Sequence, residues 1–203
     1  MYPAAFPRAA SCTRLATGAA DDRRRSPPRA SMIVPEGRWR IDRDHSSVNF
    51  VVAYLGVTKV RGRFMDLIGT FEAADGELHG EASVATGSVQ TGSAVRDRHL
   101  LSPDFLNAEE NPRLVFSLDE VREEGGRCVV AGHLAMNGAT HPIAFDAVPG
   151  GMAKDAYGHD RVGLELDGTI SRRDFGIAID SDGSLVGDEI GLEIDLSLVR
   201  ERG

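Results

Sequence analysis

From residue 190 to 198 the chain reads IGLEIDLSL, and from 162 to 170 it reads VGLELDGTI. In the first run Ile190, Leu192, Ile194, Leu196 and Leu198 alternate with Gly191, Glu193, Asp195 and Ser197. In the second, Val162, Leu164, Leu166 and Ile170 alternate with Gly163, Glu165, Asp167 and Thr169. A period of two sends successive side chains to opposite faces of a strand, so each run has one apolar row and one polar row. A helix, with its period of 3.6, would mix the two rows. Strands with one dry and one wet face belong to an antiparallel sheet folded over a single core.

The rest of the chain obeys the same logic with weaker contrast. Residues 39–42 read as a short first strand, and Asp44-His45-Ser46-Ser47 as a polar corner. Val48, Phe50, Val52 and Tyr54 then share one strand face, while the opposite face carries Asn49, Val51 and Ala53 and is not uniformly polar. Leu55-Gly56 breaks that run before strands over 57–64 and 67–73. Asp75-Gly76 and Asn137-Gly138 are hairpin signals, since tight turns need the positive φ that these residues accept. Residues 78–89 form a further strand whose small Gly80, Ala82, Ala85 and Gly87 permit curvature or the close approach of something bulky. Strands over 113–121, 127–136 and 140–148 follow, then a polar loop over 149–160. The total is about eight strands at hairpin spacing with almost no helix, which fits an antiparallel barrel or a sandwich. Pattern alone does not choose between them.

One stretch breaks the β pattern. Residues 95–116 read VRDRHLLSPDFLNAEENPRLVF, with Arg96, Asp97, Arg98 and His99 beside Leu100, Leu101, Phe105 and Leu106. Pro103 forbids a long helix, because proline lacks an N–H and disfavours helix in the residue before it. The expected form is a helical turn, a break, a second short turn and a new strand after Asn111-Pro112. In a β chain such a segment is a lid, a plug or a binding loop, or else a surface crossover capping one end.

Charge divides the chain in two. Residues 1–35 hold six arginines against Asp21 and Asp22, a net +4, so the remaining 168 residues carry −12. A tail rich in Ala, Arg, Ser and Pro cannot bury a core, and residues 1–35 are expected to form a disordered basic extension, with 36–203 as one folded domain. Met32 stands at the start of the folded body as a natural initiator. An acidic body argues against nucleic acid as partner, because phosphate neutralisation needs a basic face. No apolar run reaches the length of a membrane span. Two cysteines, Cys12 and Cys128, make no disulfide framework, and the tail lacks the continuous apolar core of a secretion signal. The expectation is a cytoplasmic protein.

Candidate chemistry is sparse. His45, His79, His99, His133, His141 and His159 are scattered singly, so no metal and no other cofactor is expected. Asp44-His45 and Asp97-His99 could do acid–base work but each lacks an evident nucleophile, and both read better as polar corners that tie down turns. Arg96 and Arg173 each precede a phenylalanine, Phe105 and Phe175. A guanidinium fork suits a carboxylate or phosphate, so the pair could hold an anionic headgroup at one barrel mouth, or form structural ion pairs.

In order along the chain stand Trp39-x-Ile41-Asp42-x-x-His45-Ser46-x-Val48-x-Phe50, Val60-x-Gly62-x-Phe64, and Arg96-Asp97 ahead of Leu100-x-Ser102-x-Asp104-Phe105-Leu106. Asn111-Pro112 to Phe116, Gly132-x-Leu134-x-Met136-x-Gly138-x-Thr140-x-Pro142 and Arg173-x-Phe175-Gly176-Ile177 complete the series. Over residues 39–199 this resembles the YceI family of polyisoprenoid- and lipid-binding proteins. The resemblance implies an all-β, eight-stranded antiparallel, lipocalin-like barrel with a short helical lid over residues 94–107, enclosing an apolar cavity for an isoprenoid or other long-chain lipid. Eight strands enclose room for one small ligand. The lining expected for the lipid is Val48, Phe50, Val52, Phe64, Phe105, Phe116, Leu134, Phe145 and Phe175, with Arg96 and His99 fixing its head. That reading is a binding protein with no catalytic residue, open to forming a homodimer. Two readings from other classes stand beside it. One is an enzyme acting on a lipid-like or small aromatic substrate in the same cavity, with His45 or His99 as base; the other is a β-sandwich interaction module.

Overall fold

In the computed structural model, residues 33–177 and 185–201 are described. The basic extension expected ahead of the folded domain falls almost wholly outside them. The strands are β1 (Gly37–Ile41), β2 (Ser47–Tyr54), β3 (Thr58–Phe64), β4 (Leu67–Ala74), β5 (Glu77–Ala85), β6 (Val89–Gln90), β7 (Arg113–Glu124), β8 (Arg127–Met136), β9 (Ala139–Lys154), β10 (Asp160–Ser171) and β11 (Val186–Arg200). The single α-helix among the described residues, α1 (Ala94–Leu100), lies between β6 and β7.

Hydrogen-bonded neighbours run β1-β4-β5-β7-β8-β9-β10-β11, and β11 pairs back onto β1 through Ile41 opposite Leu198. Every pairing is antiparallel, so the sheet closes into an eight-stranded barrel without an open edge. Closure decides barrel over sandwich. The extra segments are halves of kinked strands. β1 and β2 lie end to end along β11, Ile41 facing Leu198 and Ser47 facing Asp195. β4 and β3 lie along them in turn, and β5 and β6 along those.

Polar groups hold each kink where the ladder lapses. At the first, Asp42 donates its N–H to the Ser197 carbonyl, and the Ser46 hydroxyl accepts the Ser197 N–H at 2.9 Å. At the other two, the Ser88 hydroxyl accepts the N–H groups of Met65 and Asp66, both at 3.1 Å, and donates to the Ala85 carbonyl at 2.7 Å. Buried Thr86 donates its hydroxyl to the Asn111 carbonyl at 2.6 Å, tying the third kink to the end of the lid segment. Buried backbone groups outside a ladder need such partners.

The polar loop expected over 149–160 is mostly strand, leaving a turn of five residues, 155–159. Its proline and glycines are absorbed by a bulge: the β9–β10 register shifts between Gly163 and Leu164, and Gly151 takes φ 94°. At the same end of the barrel, buried packing begins at Ile33 and Val34, ahead of the first strand. Trp39 is fully buried there, its indole N–H donating to the Pro35 carbonyl at 2.8 Å and Arg200 lying over its ring at 5.5 Å.

A charged network locks the first kink to the β9–β10 turn. The Asp42 carboxylate accepts from Arg161 and is 2.8 Å from His45 Nδ1; Asp155 accepts from Arg161 Nε at 3.1 Å. Partial burial pushes the Asp42 carboxyl upward, but hydrogen bonds from Arg161 and His45 outweigh it and hold it below its ordinary 3.8. The His159 backbone N–H, against some desolvation and aided by the His159 ring and Arg161, holds Asp155 far below the usual carboxylate range. Both pKa values are depressed by folding, so their stabilisation is present above the unfolded value near 4 and lost as pH falls through the folded one. The melting temperature is expected to hold down to about pH 4 and fall steeply below it. Asp155→Asn should flatten that fall in a pH series of thermal melts; parallel curves for variant and wild type would remove the network from the account.

Candidate ligand-binding site

The inward rows of all eight strands meet in one cavity of about 220 Å³. A single water needs roughly 10–15 Å³ on the same measure, so there is room for a chain of carbons. Among its described lining residues only Ser83 and Arg172 are polar. Such a surface offers no hydrogen-bond pattern to read along most of its length; it selects apolar bulk and shape.

Parity puts the lining in place. Val48, Phe50 and Val52 come from β2, Phe64 from β3, Phe116 from β7, Leu134 from β8 and Phe145 from β9. These seven expected residues and Phe105 from the lid segment line the cavity together. Their rings pack in pairs, Phe50 with Phe64 at 5.8 Å and Phe116 edge-on to Phe145 at 5.6 Å. Glycines make room for two of them: a Cβ on Gly62 would lie 2.2 Å from the Phe50 ring, and one on Gly132 2.7 Å from that of Phe116.

The lid end is built from α1 and the turns after it, with Leu100, Phe105 and Leu106 facing the cavity. Ser93 caps α1 by accepting the Arg96 N–H at 3.4 Å, and Asp97 accepts both the N–H and hydroxyl of Thr91, at 2.9 and 2.6 Å. Arg96 is spent on the same residue, Nε to the Thr91 hydroxyl at 2.7 Å and Nη2 to its carbonyl at 2.9 Å. It is exposed, as is His99, and neither lines the cavity. His99 reaches the cavity wall indirectly, edge-on to Phe105 at 4.7 Å. Phe175 is buried but also off the lining; it stacks edge-on to His141 at 5.2 Å, and its carbonyl accepts from Asn137 Nδ2 at 2.9 Å. It pins the turn after β10 onto the β8–β9 hairpin. Arg173 meets Asp188 at 3.4 Å on the surface.

The polar group that does line the lid end is Arg172, 1% exposed. Its Nε, Nη1 and Nη2 donate to the carbonyls of Gly187, Ile177 and Val186 at 3.2, 2.5 and 3.1 Å. The sequence held a signal for it: position 172 continues the inward parity of Val162, Leu164, Leu166 and Ile170. Among the described residues no group of three or more His, Cys, Asp or Glu is placed to hold a metal, and no helix is long and apolar enough to cross a membrane.

Fold and cavity together define a class, the closed antiparallel barrel with an apolar interior covered at one end by a short helical segment. Residues 39–198 match the YceI-like domain, and the chain belongs to that family. It is 35% identical to protein YceI of Salmonella arizonae over 147 residues, 70% of this chain and 77% of the relative. The crystal structure of a Campylobacter jejuni YceI protein superposes with a TM-score of 0.65 at 26% identity, covering 72% of this chain and 88% of that one. A Saccharophagus degradans domain described as polyisoprenoid-binding superposes with a TM-score of 0.60 at 15% identity, over 80% of this chain and 98% of that one, and shows the shared fold.

Proposed function

We propose that the protein sequesters or carries an amphipathic lipid, a polyisoprenoid or a molecule of similar shape, inside the barrel. The observation that carries this reading is the cavity itself, one continuous apolar surface interrupted only by Ser83 and Arg172 among its described lining residues. Family membership and the polyisoprenoid-binding domain of the same fold support it. The driving force is removal of apolar area from water, roughly 25 cal/mol per Å², less the costs of association. The polar end of the ligand would lie at the lid end, near Arg172 and below His99 and Arg96.

The test is native mass spectrometry of gently purified protein, followed by organic extraction. A stoichiometric adduct releasing an isoprenoid or acyl species is the expected result. Phe50→Asp combined with Phe116→Asp places two carboxylates on the lining and should abolish the adduct while the barrel still folds, as judged by far-UV circular dichroism. Uptake that survives both substitutions would sink the lining.

A further inference from the structure

The β2–β3 hairpin does not fit the solvated outer wall of an acidic barrel. Residues 47–65 contain no acidic residue and three cations, within a body of net −12. The register pairs Asn49 with Arg63, Val51 with Arg61 and Ala53 with Lys59. These six alternate with the inward row of Val48, Phe50 and Val52, so they form the hairpin's outer face: three exposed cations beside two aliphatic residues. Arg61 faces Glu193 at a loose 3.7 Å, with both side chains more than half exposed. Among the described residues Lys59 and Arg63 have no ion pair.

The tip is apolar and strained. Val57 is 83% exposed and Leu55 51%, and Tyr54 and Leu185 are exposed beside them, the Leu55 N–H donating to the Leu185 carbonyl at 2.9 Å. Leu55 and Gly56 both take positive φ, 53° and 66°. The two-residue turns elsewhere satisfy the same demand with Asp75-Gly76, Gly125-Gly126 and Asn137-Gly138. A leucine in that conformation is disfavoured, and here its side chain is turned to solvent rather than into the core. The tip is also continuous with the cavity mouth, since Tyr54 pairs with Val186, and Val186 and Val52 line the cavity.

We infer that this hairpin docks on an anionic lipid bilayer: Leu55 and Val57 enter the interface and Lys59, Arg61 and Arg63 meet lipid phosphates. Apolar residues flanked by cations are the composition that binds an anionic membrane surface. An acidic protein partner would account for the cations but not for an exposed, strained leucine at the tip. The geometry would set the cavity mouth against the bilayer, so that a lipid passes between the two without crossing water; that purpose rests on the carrier reading, whereas the docking does not.

Sedimentation with vesicles tests it, using pure phosphatidylcholine against an equimolar mixture with phosphatidylglycerol. The first 35 residues carry six arginines of their own, so full-length chains differing only in the hairpin are compared. Wild type should bind the anionic vesicles selectively and lose binding as salt rises. The triple change Lys59→Glu, Arg61→Glu, Arg63→Glu should weaken binding at least roughly 100-fold. Leu55→Asn should weaken it roughly tenfold while raising the melting temperature, because asparagine tolerates the left-handed conformation. Wild type that ignores both vesicles, binds both alike, or binds no better than the charge-reversed chain overturns the proposal. So does binding that depends on the cations but is untouched by Leu55→Asn, which would mark a plain polyanion-binding face. Extraction of bound lipid from the same samples separates the two readings. Cargo without vesicle binding removes the docking and keeps the carrier, and vesicle binding without cargo does the reverse.

Discussion

Replacing Arg172 by leucine is expected to lower stability by about 3–5 kcal/mol, a fall in melting temperature of roughly 10 °C. The guanidinium donates to three backbone carbonyls at the point where β10 has ended and β11 is beginning. Leucine fills much of the volume but supplies no donor, so carbonyls of Ile177, Val186 and Gly187 lose a partner inside the protein. An unsatisfied buried acceptor is the expensive outcome, more than the loss of the bond itself. Arg172→Lys keeps a charge but not the planar fork, and should fall between the two. Thermal unfolding followed by circular dichroism gives the comparison. A leucine variant as stable as wild type would show that the turn does not depend on the guanidinium.

Gly132→Val should cost about 3 kcal/mol and, on the carrier reading proposed above, also lower lipid uptake. Gly132 stands opposite Leu118 where the β7–β8 register shifts toward Glu120, and a Cβ there would lie 2.2 Å from the Ser117 carbonyl oxygen and 2.7 Å from two atoms of the Phe116 ring. The ring could swing away, but only into the cavity it lines; the carbonyl belongs to the ladder and cannot move without displacing β7. Adding Phe116→Ala to the valine variant should therefore restore part of the stability and not all of it, a coupling that a double-mutant cycle reads directly. Full additivity would mean that ring and glycine do not share space.

Much of the site was legible in advance because inward parity is a local property. Val48, Phe50, Val52, Phe64, Phe116, Leu134 and Phe145 all sit on alternating runs, and all line the cavity. Phe105 was legible for another reason, as a large apolar residue in a segment that Pro103 breaks and that the β pattern does not absorb, although the sequence left lid and surface crossover both open. Chemistry and proximity in sequence place Arg96, His99 and Phe175 with them, and the structure gives each a different neighbour: Thr91, Phe105 and His141. Closeness to Phe175 points to Arg173, whereas the parity of β10 marks Arg172, the one that lines the cavity. Of the two adjacent arginines, the alternation carried on from β10 decides that Arg172 is the buried one and Arg173 the exposed one.

The alternation of apolar and polar residues, with Asp-Gly and Asn-Gly between runs, is enough to make this chain antiparallel β and to say which side chains share a face. Those are consequences of a two-residue repeat and of turn sterics, and they need no partner from far along the chain. Only the tertiary structure decided that β11 would close on both β1 and β2, that three strands would kink, and that the apolar rows would face each other across a space instead of meeting in a solid core. Closure depends on register and stagger summed around all eight strands, so no single window of sequence contains it.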